Sequence, residues 1–214
     1  MSTSILVRIP AAGAVVEGML EIPHRAVGLV LFAHGSGSSR HSPRNNHVAG
    51  VLRAAGVGTL LMDLLTPMED RDYARRFDVD LLARRLLDAA RWVTAEDATR
   101  TLPLGFFGAS TGAAAALEAA AVLGDAARAV VSRGGRPDLA SPQALARVTA
   151  PTLLLVGGHD SGVIELNQQA YDQLRCKKEL VIVPGASHLF EEPGTLEAVA
   201  ARAAGWFAVH LPER

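Results

Sequence analysis

The chain is poor in cysteine, lysine and aromatic residues, and each shortage removes a class of protein. One cysteine, Cys176, stands among 214 residues. That leaves no internal disulfide framework and no cysteine-built zinc or iron–sulfur centre. Only Lys177 and Lys178 are lysines, and 21 Lys+Arg against 22 Asp+Glu give a net charge of −1. No basic surplus draws the chain toward nucleic acid or an anionic membrane. No apolar run approaches the ~20 residues that a spanning helix needs. Met1 to Pro10 lacks the basic start and long apolar stretch of a secretory leader. Fixed-period repeats, low-complexity tails and long Gly/Ser linkers are also missing. The expectation is a soluble cytoplasmic protein.

What is present is a core. Hydrophobic residues make up 49% and charged residues 20%, a balance too apolar for disorder. The length predicts one domain over residues 1–214. Apolar runs read as strands at Ile5–Ile9, Val16–Ile22, Gly28–Ala33, Gly58–Met62, Leu104–Phe107, Ala129–Val131, Thr152–Val156 and Leu180–Val183. Helical spacing fills Asn45–Ala55, Val79–Thr94, Thr111–Leu123, Val163–Leu174 and Thr195–His210. In the second of these, Leu81, Leu82, Arg85 and Leu86, then Ala89, Ala90 and Val93, share one face. An early hairpin followed by strand–helix alternation predicts an α/β fold: a mostly parallel sheet with helices on both faces. Ligands in such sheets bind beyond the carboxyl ends of the strands.

The strand ends carry the chemistry. Gly108-Ala109-Ser110-Thr111-Gly112 follows the fifth strand and matches Gly-x-Ser-x-Gly. Small flanking residues let a strand turn sharply into a helix and project a serine hydroxyl clear of the sheet. The alternative is a tight turn with an N-capping serine. A serine nucleophile needs a base, and the base an orienting acid. Asp160 follows the seventh strand and His188 the eighth. Asp160 read alone is a helix N-cap, and His188 read alone is a loop histidine. Together they give the order Ser110, Asp160, His188. Acyl transfer also needs two N–H donors for the developing oxyanion. Thr111 supplies one at a helix start. The loop His34-Gly35-Ser36-Gly37 supplies the other, assigned to Ser36.

These segments resemble the α/β-hydrolases, in the small dienelactone-hydrolase-like branch. LVLFAHGSGSSRHSPRN, GFFGASTGAAAAL, APTLLLVGGHD and PGASHLFEEPG carry the likeness, spread over residues 28–194. Dienelactone hydrolases proper use a cysteine where this chain has Ser110. The resemblance implies a serine hydrolase acting on an ester or related acyl bond of a small molecule, without a cofactor or metal. Acyl transfer on the same triad, or a catalytically silent binding module, are the alternatives. A homodimer stays open.

Other readings use the same loops. Gly35-Ser36-Gly37, with Asp63 closing the next strand, resembles a dinucleotide fingerprint, but Arg40 replaces its third glycine. His34, His41 and His47 are metal-ligand types without a helix-turn spacing or an interleaved acid. Cys176 between Arg175 and Lys177 is a thiol whose pKa those charges would lower. Arg40, Arg133 and Arg136 sit in strand-end loops, where they could hold a substrate carboxylate or phosphate or else brace loops through Asp138 or Asp63. The charged stretch 67–80 reads as a solvated loop or a short cap over an open, shallow pocket.

Overall fold

The computed structural model describes residues 3–212. Met1 and Ser2, which begin the stretch read for a leader, lie outside the described residues. The strands are β1 (Thr3–Ala11), β2 (Ala14–Ile22), β3 (Leu29–Ala33), β4 (Gly58–Met62), β5 (Leu104–Ala109), β6 (Ala127–Arg133), β7 (Thr152–Gly157) and β8 (Lys178–Val183). The helices are α1 (Pro43–Ala54), α2 (Val79–Ala95), α3 (Thr111–Leu123), α4 (Pro142–Arg147), α5 (Ser161–Gln173) and α6 (Thr195–His210).

β1 and β2 form a hairpin in register from Thr3 opposite Ile22 to Ala11 opposite Ala14. Its two-residue turn, Ala12-Gly13, has φ of +44° and +77°, the twist that matches right-handed strands. The sheet order is β1-β2-β4-β3-β5-β6-β7-β8. β2 meets β4 antiparallel, and every later pairing is parallel.

Strand residues alternate between the two faces. Leu31, Leu60, Phe106, Val130 and Leu154 point to one core with Leu82, Leu86 and Val93 of α2 and Ala114 and Leu117 of α3. Val30, Phe32, Leu61, Phe107, Val131 and Leu155 point to the other, with Val48 and Leu52 of α1 and Val199, Ala203 and Phe207 of α6. Both faces are buried, which is why these strands read as continuous apolar runs. Among the described residues no helix is long and apolar enough to cross a membrane.

After β3 the chain moves to β4 on one side, and after α2 it returns to β5 on the other. The crevice lies where that order reverses, at the carboxyl ends of β3 and β5. Helix α4 has no counterpart in the sequence reading. Its six residues are too few for a periodic signal, and the Ser141 hydroxyl, which accepts from the Ala144 N–H, caps it. Residues 67–80 contribute two short 3-10 turns, Glu69–Arg71 and Ala74–Phe77.

Candidate active site

Ser110 sits at the junction of β5 and α3 with φ +50° and ψ −124°. An L-residue rarely adopts that conformation, so the neighbours must hold it there. Glycine is required on both sides by close approach. A Cβ on Gly108 would lie 2.4 Å from Ala113 Cα, and one on Gly112 would lie 2.2 Å from the Ala33 carbonyl oxygen. The Ser110 carbonyl accepts from the Ala113 and Arg136 N–H groups, each at 3.0 Å. Its side chain makes no capping hydrogen bond to α3, so it is not the N-cap that its position would allow.

Asp160 repeats the pattern at α5. It occupies the cap position, and its side chain makes no cap hydrogen bond. Instead Oδ2 lies 2.6 Å from His188 Nδ1. That contact fixes the ring so that Nε2 is left for other work. The His188 loop is braced by Glu192, whose Oε2 accepts from the Ser187 N–H at 3.0 Å. That bond holds the Glu192 carboxyl below the usual range. Phe190, buried at φ +56°, pins the far side of the loop.

The loop after β3 lies against Ser110. A Cβ on Gly35 would lie 3.0 Å from Ser110 Cβ. Ser36 N–H makes no hydrogen bond among the described residues. Thr111 opens α3, where first-turn N–H groups have no partner within the helix. His34 anchors the loop from beneath. Its Nε2 accepts from the Leu64 N–H at 2.9 Å, and Nδ1 donates to the Gly35 carbonyl at 2.8 Å. Burial lowers its pKa and keeps it neutral. Both nitrogens are committed, which removes His34 from the metal reading. Ser110, His188, Ser36 and Gly35 line one cavity of about 200 Å³.

Two comparisons bear on this geometry. A dienelactone hydrolase from Anabaena variabilis superposes with a TM-score of 0.94 at 54% identity, covering 98% of this chain and 99% of that one. The chain belongs to the dienelactone-hydrolase-like branch of the α/β-hydrolases. An α/β serine hydrolase without a lid from Xanthomonas campestris shares the fold at TM-score 0.78 and 21% identity, covering 99% of this chain and 96% of that one. A Mycobacterium tuberculosis protein provisionally named a phosphoribosyl transferase is 57% identical over 205 residues, 96% of this chain. This chain spans 46% of the length of that relative. No family model matches the chain.

Within this dienelactone-hydrolase-like unit the three arginines separate. Arg40 is a correction to the substrate-binding expectation. Its guanidinium is held by Asp63 Oδ2 and by Glu17 Oε2 at 2.6 Å, and its N–H donates to Asp63 Oδ1 at 2.8 Å. Asp63 is thereby a loop brace. Arg136 is a second correction, since it donates twice to Asp138 at 2.8 and 2.7 Å. That pairing raises its pKa. Arg133, the last residue of β6, is 6% exposed and lines the cavity beside Ser110.

The sequence reading missed Arg44 and Asn45, which also line the cavity from the first turn of α1. Both lie inside the SPRN segment, at the expected helix start of Asn45, where no local pattern marks a side chain as facing the site. Cys176 is half-buried beside Thr152, and burial pushes its thiol pKa up rather than down. The cap stretch packs beside the loop, with Arg76 reaching Gly37, but none of it lines the cavity.

Proposed function

We propose that this unit is a serine hydrolase that cleaves an ester or related acyl bond of a small molecule. The observation that carries the reading is the hydrogen bond from a cap-position aspartate, Asp160, to His188, whose ring lines one cavity with the strained elbow serine. His188 Nε2 takes the Ser110 proton as Oγ attacks the acyl carbonyl. The Ser36 and Thr111 N–H groups receive the oxyanion. His188 then protonates the leaving group, and water activated by the same nitrogen releases the acyl group from Ser110. Asp160 holds the ring and stabilises its charged form.

The Ser110 hydroxyl has no hydrogen-bond partner among the described residues. In unliganded hydrolases the serine–histidine link is commonly loose and tightens with substrate. The transferase name belongs to a longer relative, and this reading concerns the unit that carries the elbow.

The test is labelling with a fluorophosphonate probe and turnover of a graded panel of nitrophenyl esters. Labelling and hydrolysis in the wild type, both absent in Ser110→Ala, support the reading. An unlabelled wild type, under conditions that label a control hydrolase, favours a silent binding module.

A further inference from the structure

Arg133 is a buried cation without a counter-ion. Among the described residues its one side-chain hydrogen bond runs from Nη2 to the neutral Oδ1 of Asn45 at 3.2 Å. Its Nε is buried with no partner. Its guanidinium stands 5.9 Å over the Phe190 ring. A charged group so far removed from water ordinarily has an acid beside it, because burying a lone charge is costly. Here the neighbouring charge is a second cation, Arg44. Burial first, and then Arg44, draw the Arg133 pKa down to about 10. Arg133 therefore stays charged at neutral pH.

No aspartate or glutamate lines the cavity, while Ser36, Ser38 and Ser42 bring three hydroxyls. The start of α1, with Ser42 as its cap and Arg44 and Asn45 in its first turn, borders the same space and carries no acidic residue; Pro43 has no N–H and Ser42 Oγ takes the Asn45 N–H, which leaves the Arg44 N–H to donate. Arg44 meets one acid, Glu191, at 3.2 Å on the exposed rim. Its Nε is buried and also lacks a partner.

We infer that this cavity receives a phosphate monoester group, so that the substrate of the site is an acyl ester carrying a terminal phosphate. The inference rests on the hydrolase reading for the reaction, and on Arg133 for the ligand. A carboxylate offers two oxygens, which one guanidinium satisfies. Two guanidiniums, three hydroxyls and the Arg44 N–H match the three terminal oxygens and double charge of a phosphate. Arg133 and Ser110 line the same small cavity, which places the phosphate within a few bonds of the acyl carbon.

The experiment uses inorganic phosphate as the probe, on the wild type, Ser110→Ala, Arg133→Met and Arg44→Gln. Thermal unfolding is followed at constant ionic strength with phosphate, acetate or chloride. Phosphate should raise Tm of the wild type and of Ser110→Ala in a saturable way. Its affinity should fall at least ~10-fold in Arg133→Met and measurably in Arg44→Gln. Without any anion Arg133→Met should melt at or above the wild type, because an unpaired buried charge has been removed. In the kinetic arm, acetyl esters of glycerol 3-phosphate and of glycerol are compared. The phosphorylated ester should have the higher kcat/KM by at least ~10-fold, and Arg133→Met should erase the preference.

An equal response to acetate would overturn the phosphate assignment in favour of a carboxylate. An unchanged phosphate response in Arg133→Met would overturn the site itself. Phosphate binding that survives in a protein without esterase activity or fluorophosphonate labelling would sink the hydrolase reading and leave the anion site standing.

Discussion

Asp160 stands at the cap of α5 yet gives its carboxylate to His188 Nδ1, 2.6 Å away, and none of it to the helix. A capping aspartate stabilises its helix by about 1 kcal/mol, and this one forgoes that contact. Asp160→Asn keeps the size and can hold the ring only through the wrong tautomer. The expected outcome is a kcat lower by about 10⁴, the scale that such a change has in a triad protease. KM and the unfolding midpoint should move little, because no cap is lost. Steady-state kinetics with a nitrophenyl ester, beside a urea melt, checks both. A wild-type kcat would shift the acid role to another carboxylate.

Ser110 holds φ +50°. Such a conformation costs an L-residue of order 1 kcal/mol and a glycine almost nothing. Ser110→Gly should therefore be inactive and more stable than Ser110→Ala by about 1 kcal/mol. Denaturant unfolding of the two variants measures the difference. Equal stability would mean that the elbow is not strained.

Gly112 is set by contact. Its missing Cβ would come within 2.2 Å of the Ala33 carbonyl and 2.6 Å of the His34 carbonyl. Both are backbone atoms of the strand and loop that lead to Ser36, the proposed second oxyanion donor. Gly112→Ala must push α3 away from β3, at about 3 kcal/mol or more. Low soluble yield and lost esterase activity are expected together. A variant with wild-type melting and reduced activity would show that the loop yields while the core does not.

The strands and long helices were legible because their burial is two-sided or periodic, and those patterns are written in the apolar residues themselves. The three candidate catalytic residues were legible because each follows an apolar run, and of them the structure hydrogen-bonds Asp160 to His188. What escaped depends on pairs distant in sequence. Arg40 and Arg136 looked like Arg133, and only folding shows that Asp63, Glu17 and Asp138 neutralise the first two and leave the third without an acid. Arg85 counted as a member of an apolar helix face. It is wholly buried there because Glu69, sixteen residues earlier, meets it with both carboxylate oxygens at 2.8 Å. Cys176 was read from its charged neighbours, whereas burial decides its pKa.

The Glu69–Arg85 pair also ties the cap stretch to the loop below the site. Arg85 donates to the Leu64 carbonyl at 3.1 Å, and the Leu64 N–H donates to His34. Glu69 further accepts from the N–H and hydroxyl of Thr66. The Arg85 hydrogen bonds, more than any other contact, hold the Glu69 carboxyl at about 2, below its ordinary 4.5. A carboxyl depressed on folding stabilises the protein fully above its unfolded value. Between pH 4.5 and 2 the unfolded chain takes up a proton that the folded one refuses, so stability falls with acid and the contribution is gone below 2. Glu69→Gln should lose about 3 kcal/mol at pH 7 by leaving Arg85 buried without its charge partner. That gap should shrink toward pH 3 by about 1 kcal/mol and by no more than about 2, once discounted for the solvent that reaches Glu69. Urea unfolding of both proteins at pH 7 and pH 3 reads the two gaps. A gap that stays constant with pH would mean that the Glu69 charge contributes nothing, and that packing alone holds the stretch over the His34 loop.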